Sequence, residues 1–295
     1  MARPFLKWAG GKRQLLPILE EKLPSGISEL TTYIEPFIGG GAMLFRLLER
    51  YTFEEVHISD LNPELTLCYR MIQSEPSGVF DSLQSLIESY PKEHEDRKEV
   101  FYGIRREWNT QVSNLQSLDL NQKTLRAAQT LFLNKTCFNG LFRLNKKGEF
   151  NVPIGGYVNP SFQTMEELLE VQEALQGVSI HTTSFEKCLE WANDSTLVYF
   201  DPPYRPLSET SHFVSYSKGD FDDDDQRALA EVFRELDGIG ARLILSNSDP
   251  KNTNPDDDFF DDLYSGFNIE RVMARRAINS SPTKRGEITE IIVTN

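Results

Sequence analysis

A chain of 295 residues with 39% apolar content is long enough to bury the core of one large α/β domain, alone or carrying a sizeable insertion. No run approaches 18 apolar residues and the N-terminal stretch Met1 to Trp8 has no apolar segment of signal length, so the expectation is a cytoplasmic protein with no membrane span; a monomer is expected as well. The formal charge of −14, taken as an average, counts against a nucleic-acid partner, because such binding is driven by neutralising phosphates.

Short β-branched or aromatic runs bounded by turn residues alternate with helical stretches, the pattern of a largely parallel sheet. Ahead of the first strand, Lys7-Trp8-Ala9-Gly10-Gly11-Lys12 sets two glycines between lysines. This fits a phosphate or carboxylate site, and equally a basic surface turn. It lacks the Gly-x4-Gly-Lys-Ser/Thr arrangement of a P-loop, which counts against nucleoside triphosphate chemistry.

The first strand is predicted over Thr32 to Pro36 and runs through Phe37-Ile38-Gly39-Gly40-Gly41 into the helical Ala42 to Leu48. Glycines between strand and helix let the backbone approach a ligand and leave helix-terminal N–H groups free to bind it, although a tight turn without a ligand reads alike. The second strand, Val56 to Asp60, ends on a carboxylate nineteen residues past Gly41. That spacing suits an acid accepting both hydroxyls of a ribose; the alternative is an N-cap ahead of Pro63-Glu64.

About 115 residues then precede the third strand, far more than a βαβ crossover needs. This insertion, 64–177, carries amphipathic helical sequence over Glu64 to Gln73, Ser77 to Ser89, Lys98 to Asn109 and Lys123 to Lys135. It then changes character at Leu144 to Phe150, which reads as a hairpin with Gly148 at the turn. From Phe101 to Tyr157 eight basic residues (Arg105, Arg106, Lys123, Arg126, Lys135, Arg143, Lys146, Lys147) face three acidic ones (Glu107, Asp119, Glu149). The insertion is expected to pack as a second lobe on a sheet domain made of 1–63 and 178–295.

The third strand is expected over Val178 to Thr183 and the fourth over Thr196 to Phe200, where the chain enters Asp201-Pro202-Pro203-Tyr204 at the place open α/β sheets use for ligands. An adenine amine is a poor nucleophile because its lone pair is delocalised into the ring. A carboxylate (Asp201) and a backbone carbonyl (Pro202) accepting its two hydrogens favour a pyramidal nitrogen aimed at a methyl donor. The prolines stiffen the loop and remove N–H donors, and Tyr204 offers a face to a base taken out of the duplex. The plain alternative is a rigid Pro-Pro turn with a surface tyrosine.

Strands at Arg242 to Asn247, Phe267 to Met273 and Glu287 to Thr294 complete seven. The runs Asp222 to Asp225, Asp256 to Asp258 and Asp261-Asp262 read as a solvated face, apart from a second basic segment holding Arg271, Arg275, Arg276, Lys284 and Arg285. A basic DNA-facing side with an acidic back accommodates the overall charge. Cys68, Cys137 and Cys188 lack metal-ligand spacing and read as small buried residues. The four histidines show no ligand spacing, and no metal is expected.

With these motifs in order, the chain resembles the Dam family of DNA adenine methyltransferases, including its restriction-associated, DpnM-like members. The resemblance spans nearly the whole chain and rests on Lys7 to Lys12, Glu35 to Gly41, Asn139-Gly140-Leu141-Phe142-Arg143, Phe150-Asn151-Val152-Pro153 and Asp201 to Tyr204. It implies a Rossmann-like sheet, S-adenosylmethionine as donor and adenine N6 in double-stranded DNA as acceptor, with base flipping and direct transfer. Carried over by position, donor contacts fall on Trp8, Lys12, Phe37, Gly39, Gly41, Asp60 and Asp201, and more loosely on Ser184 and Phe185. Target recognition falls on Asn139 to Tyr157, with Asn139, Leu141, Arg143 and Tyr157 meeting DNA and Lys7 reaching the outer part of the site. Arg143 suits a guanine edge, or a phosphate. The resemblance implies GATC as the target. Gly156 stands where some members have a basic residue before the tyrosine, which removes one contact. The loop Arg271 to Gly286, with Arg275 and Arg276, is assigned to phosphates or to closure over substrate, the alternative being a solvated loop.

Two other functions compete. Related enzymes use a Pro-Pro-Tyr loop with an amide in place of the acid to methylate glutamine, but Asp201 and the basic hairpin favour an amine in DNA. A DNA-binding module without catalysis is disfavoured by intact donor motifs together with Asp201 and Tyr204.

Overall fold

The computed structural model describes residues 1–8, 10–91, 93–110, 115–205, 221–275 and 287–295. The chain runs through α1 (Leu16–Glu21), β1 (Thr32–Pro36), α2 (Ala42–Leu48), β2 (Glu55–Asp60), α3 (Pro63–Ser74), α4 (Pro76–Glu88), α5 (His94–Thr110), α6 (Leu120–Thr136), α7 (Met165–Ala174), β3 (Val178–Thr182), α8 (Cys188–Trp191), β4 (Thr196–Phe200), α9 (Asp223–Ile239), β5 (Arg242–Ser248), α10 (Phe259–Leu263), β6 (Asn268–Arg275) and β7 (Glu287–Thr294). The predicted strands are all present, their ends displaced by two residues at most. None of the described helices is long and apolar enough to cross a membrane.

The strands form one sheet in the order β3-β2-β1-β4-β5-β7-β6. Neighbours are parallel from β3 to β5, and β7 runs antiparallel to both β5 and β6. The architecture is thus a Rossmann-like α/β sheet with one reversed strand. Side chains alternate across it as the strand period requires. Tyr33, Leu197 and Tyr199 enter a core shared with the first seven helices. Ile34, Val198 and Phe200 enter the opposite core, built with Phe233 and Leu236 of α9 and Tyr264. Strand order reverses between β1 and β4, which opens a crevice beyond their C-terminal ends.

The inserted helices are set by caps and by one buried ion pair. Asn62 caps α3 ahead of Pro63, and capping boxes at Asp119/Gln122 and Thr164/Glu167 start α6 and α7. Arg126 on α6, 0% exposed, binds both carboxylate oxygens of Glu64 on α3 at 3.0 and 2.6 Å. Its guanidinium lies 3.8 Å from the ring centroid of Trp108 on α5. Arg126 therefore adds nothing to a DNA-facing charge, contrary to its place in the basic segment. The apolar core of the insertion is continuous with that of the sheet.

The expected hairpin is narrower than its sequence implies. Leu144 and Phe150 form a single antiparallel bridge, closed by Asn145 N–H on Glu149 O at 2.8 Å, with Gly148 at φ 80°. The return arm bonds back to Arg143 and to the backbone of Thr136 to Phe138 without forming a continuous strand, and it is also held by side chains of α5. Asn109 pairs with both backbone groups of Phe150 (2.8 and 3.2 Å), Arg105 donates to Val152 O (3.1 Å) and Arg97 to Tyr157 O (2.7 Å).

The acidic runs are not simply a solvated face. Asp222 caps α9; Asp223 and Asp257 hold Arg205; Asp258 and Asp261 hold Lys251. Arg271, assigned to a phosphate-binding loop, lies instead in β6 and pairs with Asp249 (3.1 Å) and Asp261 (2.6 Å). Arg275 closes β6, its side chain outside the described set; Arg276, Lys284 and Arg285 lie outside the described residues. Cys68, Cys137 and Cys188 are buried free thiols.

Candidate active site

Beyond β1 the chain turns so sharply that Phe37, Gly39 and Gly41 all take positive φ, at 70°, 47° and 70°. Gly41 heads α2, and a Cβ there would stand 2.5 Å from the Tyr69 hydroxyl oxygen; one on Gly39 would stand 2.8 Å from Cδ1 of Trp8. Both positions require glycine on backbone and on space. Tyr69 O–H donates to Gly39 O at 3.1 Å and holds the turn. Phe37, which has a Cβ, costs on the order of 1 to 3 kcal/mol in that region. Its ring stacks on Phe185 (5.4 Å between centroids) and meets Phe221 edge-on (5.5 Å). Ser184 begins the short turn that carries Phe185.

Asp60, at the end of β2, accepts Gly39 N–H at 3.4 Å and Asn62 N–H at 2.9 Å. Asn62, not Asp60, caps α3, which removes the capping alternative. Burial pushes the Asp60 carboxyl up to about 6 against the pull of those two N–H groups. Glu35, 2% exposed at the end of β1, accepts the Tyr33 hydroxyl at 2.6 Å. Burial pushes it up to about 8, the Tyr33 bond opposing and the Asp201 charge adding to the rise.

Directly after β4, Asp201 Oδ1 faces Lys12 Nζ at 3.0 Å and accepts Ser246 O–H at 3.4 Å. Lys12, 4% exposed, also donates to the Tyr204 hydroxyl, stands 3.3 Å from Glu290 Oε2 and lies 4.2 Å from the Tyr204 ring centroid. Tyr204 in turn donates to Glu290 Oε2 at 2.6 Å. Burial pushes the Asp201 carboxyl up to about 6; the Lys12 ammonium opposes this and Glu290 reinforces it. The group remains mostly a carboxylate at neutral pH.

The tetrapeptide is held from both sides. Asn247 of β5 donates to Gln226 of α9 at 3.1 Å, and Gln226 donates to Pro203 O at 3.1 Å. Arg205 forks onto Asp223 at 2.6 and 2.9 Å, reaches Asp257 at 2.8 Å and covers the Phe259 ring. Among the described residues nothing donates to the Pro202 carbonyl or to Asp201 Oδ2, so two acceptors stay open in one rigid loop.

A second cluster gathers around Asn134 of α6. This buried amide accepts Lys7 N–H (2.8 Å) and donates to Lys7 O and Gly140 O (both 2.9 Å). Lys7 Nζ lies 4.6 Å from the Tyr157 ring centroid. Asn139 is exposed at φ 57°, beside Phe138, whose ring is 52% exposed. Leu141 leans on the core, and Arg143 Nε donates to Asn151 Oδ1 at 2.8 Å. Trp8 joins the two clusters, abutting Gly39 and stacking on Phe142 at 5.4 Å. Lys7, Asn139, Leu141, Arg143 and Tyr157 are thus brought into one region.

Sequence reading missed Glu290, Gln226, Asn247, Arg205, Phe221, Asn134 and Phe138. An acid or amide within an apolar strand was the available signal for Glu290 and Asn247.

A model of D12 class N6 adenine-specific DNA methyltransferases matches residues 8–278. The chain belongs to that class. This D12-class chain is 46% identical, over 99% of both chains, to a protein named type II methyltransferase M.MjaIII from Methanocaldococcus jannaschii. It is 39% identical to type II methyltransferase M1.LlaDCHI of Lactococcus lactis subsp. cremoris, over 99% of this chain and 95% of that one. It is 33% identical to a DNA adenine methylase of Vibrio cholerae, over 98% and 95%. The resemblance read from the motifs agrees with this family. A D12-class methyltransferase acts on adenine in DNA and uses a methyl donor.

Proposed function

We propose that the enzyme transfers a methyl group from S-adenosylmethionine to N6 of adenine within GATC in duplex DNA, by base flipping and direct transfer, as a cytoplasmic monomer in a restriction-modification system. The observation that carries the reading is the open pair of acceptors, Asp201 Oδ2 and Pro202 O, in a loop fixed beside the Tyr204 ring.

S-adenosylmethionine, when bound, supplies an electrophilic methyl group on a positively charged sulfur. The residues fit such a donor. Phe37, Phe185 and Phe221 offer aromatic faces to its adenine, beside Ser184. Asp60 offers a carboxylate to ribose hydroxyls. The sharp turn through Gly39 and Gly41, packed on Trp8 and Tyr69, brings backbone close to the end of the sheet where a donor would lie. The Asp201 carboxylate favours a positive group nearby, and Lys12 suits the donor's carboxylate.

In the reaction, Asp201 and the Pro202 carbonyl accept the two amine hydrogens of the extruded adenine and orient its lone pair, while Pro203 keeps the loop rigid. Tyr204 stacks on the base. Asp201 takes the proton the amine loses as the methyl group passes from sulfur to N6, the S–CH3 bond breaking as the N–C bond forms and a neutral thioether leaving. On the DNA side, Arg143 addresses a guanine edge with its two outer nitrogens, while its Nε is held by Asn151. Asn139, Leu141, Tyr157 and Lys7 line the same contact region, with Arg275 and Arg276 reaching phosphates. Phe138 stacks on bases at the gap left by extrusion, since exposed apolar wedges between base steps are a recurrent means of opening a duplex. Residues 64–177 form the target-recognition part, and 1–63 with 178–295 the catalytic part.

Duplex DNA treated with enzyme and donor tests the target directly. Digestion by nucleases that cut only methylated, or only unmethylated, GATC should give cutting by the first class and protection from the second. Persistent cutting by the second class alone would reject GATC.

A further inference from the structure

We infer that Glu290 is a positioning residue for methyl transfer, fixing the Tyr204 ring through its hydroxyl and sharing the Lys12 ammonium with Asp201. The inference rests on the catalytic reading of Asp201 and Tyr204.

The geometry is that of one carboxylate serving two groups. Glu290, 12% exposed, sits in β7 between β5 and β6, opposite Ser248 and Val272. Its Oε2 takes the Tyr204 hydroxyl at 2.6 Å and stands 3.3 Å from Lys12 Nζ, while that ammonium stands 3.0 Å from Asp201 Oδ1. The loop's other anchors act beside the phenol, Gln226 on the Pro203 carbonyl and Asp223 with Asp257 on Arg205, so Glu290 is the acceptor that locates the phenol itself. Without it, the polar contact left to the phenol among the described residues is with Lys12. A stacking face that wanders by about 1 Å costs about a hundredfold in rate, because the amine then misses its acceptors.

The charge has a separate effect. Asp201 is faced by Lys12, Glu290, Glu35 and the phenols of Tyr199 and Tyr204, with the Ser246 hydroxyl at Oδ1. The Glu290 carboxylate repels the Asp201 charge and shares the Lys12 ammonium with it, at 3.3 Å against 3.0 Å. Removing that charge makes Asp201 easier to ionise and moves the acid limb of activity to lower pH.

The test compares full-length wild type, Glu290→Gln and Glu290→Ala by steady-state methylation from about pH 5 to about pH 9, with melting temperatures as a check on folding. Glutamine keeps an acceptor for the Tyr204 hydroxyl and discards the charge; alanine discards both. The expected result is a kcat about tenfold lower or worse for Glu290→Ala, a smaller loss for Glu290→Gln, and a downward shift of the acid limb in each. In a Tyr204→Phe background, Glu290→Ala should cost less than in the wild type. Wild-type kcat in Glu290→Ala, or an unmoved acid limb in Glu290→Gln, overturns the inference. If Glu290→Ala does not fold, the pH profile of the near-isosteric Glu290→Gln decides alone. A wild type that never methylates adenine would instead overturn the catalytic reading.

Discussion

Lys12 and Asp201 face each other at 3.0 Å, ammonium to carboxylate oxygen, with Lys12 almost wholly withdrawn from solvent. The pair joins the N-terminal turn to the loop after β4 across the crevice of the sheet. Because burial raises Asp201 to about 6 and Lys12 works against that rise, the carboxylate needed to accept an amine hydrogen is lost below that pH. The acid limb of kcat/KM should therefore lie near pH 6. Lys12→Met should move it upward, opposite to the effect of removing Glu290. A pH profile of both proteins checks the sign; a limb that stays put in Lys12→Met contradicts it.

Glu35 makes a stability prediction. Its folded carboxyl titrates near 8 against an ordinary 4.5, so the folded state holds a proton that the unfolded chain releases across that window. Stability contributed by the protonated form is intact below about pH 4.5 and declines as pH rises through about 8. Glu35→Gln removes the titration while leaving an acceptor for Tyr33. Melting curves of donor-free protein should show the variant gaining on the wild type from about pH 5 to about pH 9. Parallel curves would reject the buried-acid account.

The Arg126–Glu64 pair is enclosed by three helices, and a charge left alone there has no solvent to turn to. Arg126→Met should lower the unfolding free energy by about 3 to 5 kcal/mol in urea titration, and adding Glu64→Leu should recover much of the loss. No recovery in the double variant would mean that the packing of Arg126 on Trp108 outweighs the charge.

Arg143 and Asn151 predict a graded loss of sequence discrimination. Arg143→Ala should cost about 1 to 3 kcal/mol of preference at a guanine of the site. Asn151→Ala, which frees the guanidinium without removing it, should cost less at the same position. Competition between cognate and single-substituted duplexes measures both. Uniform weakening across all duplexes would assign Arg143 to phosphate instead.

Much of the fold was legible because buried parallel strands are continuous apolar runs, as in Leu197 to Phe200, and because tight turns demand glycine, as at Gly39 and Gly41. The narrow hairpin was not, since its return arm bonds to Arg97, Arg105 and Asn109, whose α5 spacing reads as an ordinary polar helix face. Glu290 was missed for a similar reason. In Glu287 to Thr294 a polar residue among β-branched ones reads as solvent-facing, and only the sheet order brings it onto Tyr204. The aspartate runs are exposed or half-buried, as their composition implies, but composition did not show that Arg205, Lys251 and Arg271 fold onto several of their carboxylates.

Nucleoside mass spectrometry of duplex DNA after incubation with S-adenosylmethionine and either wild type or Asp201→Ala tests the central claim most directly. The account predicts N6-methyladenine with the wild type and about a hundredfold less or lower with Asp201→Ala, at comparable DNA affinity. Equal yields from the two proteins, or methyl groups on a base other than adenine, would contradict it.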